Sequence, residues 1–176
     1  RAELFDVHCG IPGPDEKIEN HFIYIGRAHP SKGMLQATQL CHALGIELKI
    51  IGGLGPGDDP GYLKQVQAMC KNGIEYIGNA SDWAKNLLLA QARAMIFPLQ
   101  YEEAHSHKSV DSLLAGCPVI AYRKGALPEV IEHGVDGYLA ETPEEFQHYM
   151  TIVDDLDRAK IKARALKTGA SKVYVL

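Results

Sequence analysis

The chain has 176 residues, 46% of them apolar and 23% charged, with a formal net charge of −4; those values suit one globular domain and argue against disorder. A net negative chain makes a poor general nucleic-acid binder, whose phosphate contacts need a basic surface. No apolar run approaches the roughly 18 residues of a membrane span, and nothing resembles a signal peptide.

In chain order, apolar runs at 22–26, 46–51, 74–77, 94–97, 118–122 and a short 137–140 read as strands. Each is compact and mainly apolar, the look of parallel strands covered on both faces. Helical segments lie between them. Ser31 is a candidate N-cap for a helix over 32–44, where Met34, Ala37, Leu40, Cys41 and Leu44 follow the i, i+3, i+4, i+7 stripe. Pro60 suits the first turn of a helix to Cys70, and Ser81 or Asp82 caps one to Ala92. A short helix follows the acidic, His-rich loop at 102–107, and another starts at Leu127-Pro128-Glu129. Pro143 and Glu144 open a helix to about Val153, and a last polar helix covers 156–166. Strand–helix alternation with short connections predicts a doubly wound parallel α/β sheet of about six strands, a Rossmann-like layer.

The long loop at 52–61, GGLGPGDDPG, does not qualify as a dinucleotide fingerprint, because two prolines and two aspartates delay the following helix. It reads as a flexible surface turn. Cys9, Cys41, Cys70 and Cys117 are scattered without a C-x-x-C pair, which fits reduced core cysteines of a cytosolic protein better than disulfides or zinc.

Chemistry concentrates at strand ends. Gly26-Arg27 and Lys32-Gly33 follow the first strand. Glycine allows a sharp turn and a close ligand approach. Arg offers a bidentate fork and Lys a compact charge, both suited to one anion at a helix N-terminus. Two solvated surface cations are the plain alternative. His29 in the same loop either touches that anion or is simply exposed. His105-x-His107 with Asp111 and Glu102/Glu103 invites a metal, but no distant third and fourth ligand stands out, so no metal site is expected.

Together these motifs resemble the donor-binding signature of family 4 glycosyltransferases, retaining enzymes of the GT-B fold. The matching residues are G-R-x4-K-G at 26–33, P-x-x-Y-E-E at 98–103, an E-x7-acid pair at Glu103 and Asp111, A-G-C-P-V-I-A at 115–121 and G-A-L-P-E-V-I at 125–131. Val7-His-Cys9-Gly-Ile-Pro resembles the family's entry into its second domain, with Cys9 where Asn is usual. The resemblance implies that the chain is the donor-binding, C-terminal half of a two-domain protein whose N-terminal half holds the acceptor. The start at Arg1 and the end at Leu176 fit part of something longer, and the isolated domain is expected to be inactive.

By that resemblance the nucleotide-sugar site comprises Gly26, Arg27, Lys32, Asn79, Glu103, Ser106, His107, Lys108 and Asp111. Arg27 and Lys32 clamp the diphosphate, Glu103 orients the donor sugar, Asp111 holds the ribose, and the Asn79-Ala80 loop faces the base through its backbone. Arg27, Lys32 and Glu103 are the catalytic set. Gly125 and Ala126 are architectural first and ligand contacts second. The implied function is transfer of a hexose from a nucleoside diphosphate sugar, UDP-sugar preferred, with no metal or cofactor and a cytoplasmic location; peripheral membrane contact could come through the other half.

Two departures stand out. Asp111 replaces the family's second Glu and reaches roughly 1.5 Å less, one C–C bond. Ala104-His105-Ser106 replaces Pro-Phe-Gly, and Ser106 puts a Cβ where a glycine usually lets backbone N–H groups approach phosphate. Side chains of Ser106, His107 and Lys108 could supply donors instead. These departures support the alternative reading, a non-catalytic or degenerate nucleotide-sugar-binding domain.

Overall fold

The computed structural model describes residues 17–102 and 106–172. The Val7–Pro12 motif with Cys9, and Glu103, Ala104 and His105, lie outside the described residues. Six strands, β1 (His21–Ile25), β2 (Glu47–Ile51), β3 (Ile74–Gly78), β4 (Met95–Phe97), β5 (Val119–Tyr122) and β6 (Gly137–Ala140), form one sheet in the order β3-β2-β1-β4-β5-β6. Every pairing is parallel; His21 to Ile25 face Glu47 to Ile51, and Met95, Ile96 and Phe97 face Val119, Ile120 and Ala121. The predicted α/β layer is what forms.

Helices α1 (Met34–Leu44), α2 (Pro60–Ala68), α3 (Asp82–Gln91), α4 (His107–Leu114), α5 (Leu127–Val130), α6 (Pro143–Ile152) and α7 (Arg158–Lys172) connect and cover the strands. Successive residues Phe22, Ile23 and Tyr24 are all fully buried, so both faces of the sheet are covered. The core extends through Leu48, Ile50, Ile96, Val119 and Ile120 to Met34, Ala37 and Cys41 of α1, Phe146 and Met150 of α6, and Ile161 of α7. Each of the Val, Leu, Ile, Phe and Met side chains among them contributes roughly 1.5–3 kcal/mol of apolar burial. Cys41, Cys70 and Cys117 are free thiols, and burial alone raises the Cys41 thiol pKa to about 12.

Local chemistry sets the helix starts. Ser81 caps α3 by accepting from the Ala84 amide, Asp59 caps α2 with Pro60 in its first turn, and Thr142 caps α6. The expected helix over 32–44 starts later than predicted. Pro30–Lys32 form a 3-10 turn capped by His29, whose Nδ1 accepts from the Ser31 amide at 3.2 Å, and α1 begins only at Met34. Gly33, at φ 80°, separates the two. Its left-handed backbone breaks the helix that the apolar stripe alone suggested.

The chain places β1, β2 and β3 outward in one direction, then returns to lay β4 on the other side of β1. That reversal opens a crevice at the C-terminal ends of β1 and β4, where ligands of open α/β sheets bind.

Candidate functional site

Two loops meet at this crevice. One follows β1 and carries Gly26 to Gly33; the other follows β4 and runs from Pro98 to Glu102 before reaching Glu103. The Gln100 amide donates to the Ser31 carbonyl at 2.9 Å, and the Tyr24 hydroxyl donates to the Lys32 carbonyl at 2.9 Å. Both glycines of the first loop lie in tight surroundings, Gly33 against backbone and Gly26 against the Tyr24 side chain. A Cβ on Gly33 would lie 2.1 Å from the Pro98 carbonyl oxygen, and one on Gly26 would lie 2.3 Å from the Tyr24 hydroxyl. Gly33 therefore serves the contact between the two loops as well as the turn.

Lys32 reaches the second loop. Its ammonium group hydrogen-bonds the Tyr101 hydroxyl, which holds the charge beside the second loop. Arg27 points the other way, with about half of its side chain exposed, and its Nη2 donates to Asp58 Oδ1 at 2.8 Å. Asp58 belongs to the 52–61 loop. Its other oxygen accepts from the Gly55 amide at 2.6 Å; that bond first, and Arg27 after it, holds the carboxyl below the ordinary aspartate range. The loop is not the free surface turn its composition suggested. Ala28 donates to the Gly53 carbonyl at 2.9 Å, and a Cβ on Gly52 would sit 1.7 Å from the Gly26 carbonyl oxygen. Gly52 is required there because the chain packs backbone against backbone, and Gly55 because its bare backbone lies against the Arg27 side chain.

Asn79 lies at the end of β3, where its side chain contacts this loop: a Cβ on Gly53 would meet Asn79 Oδ1 at 3.3 Å. Ser106 is buried at the start of α4, with φ −112° and ψ 69°. Its backbone needs no left-handed conformation, so a side chain is accommodated without strain. The hydroxyl pairs with Ser109 Oγ at 2.6 Å inside the fold, so the donor that Ser106 was expected to offer through its side chain is turned inward. His107 and Lys108 occupy the first turn of α4, His107 exposed and Lys108 partly so.

Asp111 lies on α4. Burial raises its carboxyl pKa above the ordinary aspartate value, with His107 opposing that rise, Asp82 adding to it, and Lys85 and Lys108 opposing it. The residue as a whole is nonetheless exposed to solvent. Glu102 accepts from the Gly125 amide and so ties the acidic loop to the Lys124-Gly125 turn. That gives Gly125 a structural role in holding the site together.

Arg27 and Lys32 thus share the loop after β1, Lys32 turned to the loop that leads to Glu103 and Arg27 to the 52–61 loop, which Asn79 also flanks, while Asp111 stands on α4. Sequence reasoning missed three supporting residues: Asp58, Tyr101 and Glu102 as a loop tie. Asp58 lay inside a glycine-rich stretch read as a turn, and no local signal links it to Arg27, 31 positions away. Among the described residues no three His, Cys, Asp or Glu side chains are grouped as a metal site would need. No helix there is long and apolar enough to cross a membrane.

The glycosyl transferases group 1 family matches residues 19–153. The chain is similar to the lipopolysaccharide 1,2-N-acetylglucosaminetransferase of Salmonella typhimurium, 30% identical over 149 residues, covering 78% of this chain and 38% of that protein. It is also similar to the trehalose phosphorylase of Grifola frondosa, 31% identical over 86% of this chain and 24% of the relative. The chain therefore spans well under half the length of these curated relatives. Among solved structures, Anabaena HepE in complex with UDP superposes with a TM-score of 0.70 at 21% identity, over 94% of this chain and 47% of that one. The C-terminal domain of the group 1 glycosyl transferase LpcC from Francisella tularensis superposes with a TM-score of 0.70 at 19% identity, over 97% of this chain and 99% of that one. With the six-stranded parallel sheet and the crevice at its switch point, these matches place the chain in the glycosyl transferases group 1 family, as a C-terminal domain of the GT-B fold.

Proposed function

We propose that this domain binds the donor of a retaining hexosyltransferase, a nucleoside diphosphate sugar with UDP as the preferred nucleotide. The observation that carries this reading is the union, at the β1/β4 switch point, of the loop bearing Arg27 and Lys32 with the loop leading to Glu103. A site that gathers two cations beside the start of an acidic loop, at the end of a parallel sheet, suits a diphosphate with a sugar attached. The match to an N-acetylglucosaminetransferase supports hexosyl transfer, and a structural neighbour holding UDP supports the nucleotide.

In this reading Arg27 and Lys32 stabilise the negative charge that develops on the departing diphosphate, and Glu103 fixes the sugar hydroxyls. Asp111 accepts hydrogen bonds from the ribose, and its raised pKa is the cost of keeping a carboxylate among protein atoms until hydroxyl donors arrive. The backbone at 79–80 faces the base. Amides at the start of α4, with His107 and Lys108, approach the phosphate. Charge stabilisation by the two cations leaves no step that needs a resident metal. The acceptor is held by an N-terminal partner domain, so the chain alone binds donor without turning it over, and the whole protein works in the cytoplasm.

Calorimetric titration of the chain with UDP, GDP, ADP and UMP, with and without EDTA, tests this. Tighter, EDTA-insensitive binding of UDP than of UMP is expected. Equal affinity for UMP and UDP would remove the diphosphate clamp, and binding that disappears with EDTA would overturn the metal-free reading.

A further inference from the structure

We propose that Asp58 is a positioning residue of the diphosphate site, which aims the Arg27 guanidinium at the ligand by holding one of its N–H groups. This rests on the donor-binding reading above.

A carboxylate beside an anion site opposes binding through its charge, so its presence needs another reason. Asp58 is almost completely covered, with 2% of its side chain exposed, and both oxygens have defined partners, Arg27 at 2.8 Å and the Gly55 amide at 2.6 Å. A carboxylate with both oxygens held in this way is restrained from turning aside, and that lets it serve as the anchor. Arg27 is the flexible member, about half exposed, and among the described residues this is the one hydrogen bond its guanidinium makes. The planar fork carries five N–H donors in fixed relation. Pinning one of them fixes the directions of the rest and removes rotamer freedom that phosphate binding would otherwise have to take away.

The loop is shaped for this contact. Gly55 presents bare backbone to the Arg27 stem, because a Cβ there would lie 2.8 Å from Arg27 Cδ and 3.1 Å from Asp58 Oδ2. Gly52 at φ 132° and the Ala28–Gly53 hydrogen bond seat the loop on the β1 loop itself. The 52–58 segment therefore lies along Arg27, with Gly55 against its stem and Asp58 holding its guanidinium.

A double-mutant cycle tests this on the chain, with UDP, UMP and uridine as probes. Asp58→Asn preserves shape while removing the charge, and Asp58→Ala removes both; each is made in wild type and in Arg27→Ala, with thermal unfolding recorded for all. The expected result is that Asp58→Asn weakens UDP binding about fivefold or more, the scale of coupling between contacting residues, yet leaves uridine within about twofold. In the Arg27→Ala background the same change has no further effect. Losses that add to Arg27→Ala, or that are equal for UDP and uridine, would show that Asp58 merely shapes the loop. Tighter UDP binding by Asp58→Asn would show that it competes with the ligand for Arg27. Either outcome overturns the proposal while leaving the donor site intact. Wild type with no preference for UDP over UMP would instead overturn the donor reading, and this inference with it.

Discussion

Replacing Gly33 by alanine tests the junction on which the site is built. Two penalties apply. Gly33 has φ 80°, so an L-residue there bears about 1–2 kcal/mol of left-handed strain. The new Cβ would also stand 2.1 Å from the Pro98 carbonyl oxygen, a backbone atom that cannot rotate away. Relieving that overlap means parting the two loops, and overpacking of this kind costs typically about 1–3 kcal/mol. Gly134 supplies the control: its φ is 79°, but nothing lies within 4 Å of its Cβ position. Gly134→Ala should therefore show only the backbone strain. The difference between the two variants is on the order of 2 kcal/mol, or about 4–8 °C in unfolding midpoint for a domain of this size. Differential scanning calorimetry measures it directly. Gly33→Ala should also weaken UDP binding, since parting the loops separates Lys32 from Tyr101. Equal midpoints for the two variants would refute the close approach as the reason for Gly33.

Other outcomes follow from the same geometry. Lys32→Ala should lose about tenfold or more in UDP affinity with little change for uridine, as expected when one charge-assisted hydrogen bond is removed; equal losses by calorimetry would take Lys32 out of the phosphate site. Asp111→Glu should preserve or tighten UDP binding because the longer side chain reaches the ribose, and a large loss would contradict that placement. His21 is almost fully buried, and burial first, then Lys49, lowers its pKa despite Glu19, which lies 3.2 Å from its Nδ1. The unfolded chain thus takes up a proton near the ordinary histidine value of about 6.5, while the folded chain resists it to lower pH. The stability this neutral ring supports is complete above about pH 6.5 and falls as pH drops toward the folded-state value. Urea midpoints between pH 7.5 and 5.5 should decline more in wild type than in His21→Leu, and parallel curves would refute the assignment.

The strands and most helices were legible because their signals are local. Apolar runs, caps at Ser81 and Thr142, and prolines at helix starts each act within a turn or two of chain, and the structure follows them. The 26–33 segment was legible as a loop after β1 for the same reason, since its Gly and Pro signals are local. Position 33 shows the limit. The apolar stripe and Ser31 argued for a helix from Lys32, but the contact with Pro98 imposed a left-handed glycine and moved the start to Met34.

Composition indicated one globular domain, and the alternation of apolar strands with helices made a parallel α/β sheet the expected answer. Only the tertiary structure decided that β4 returns beside β1 and opens the crevice there. It likewise decided that Asp58 holds Arg27, that Tyr101 receives Lys32, and that the Ser106 hydroxyl turns inward to Ser109. Propensity and capping are short-range preferences written in neighbouring residues. A hydrogen bond across 31 positions depends on where two loops come to rest, and that is fixed by packing of the whole sheet.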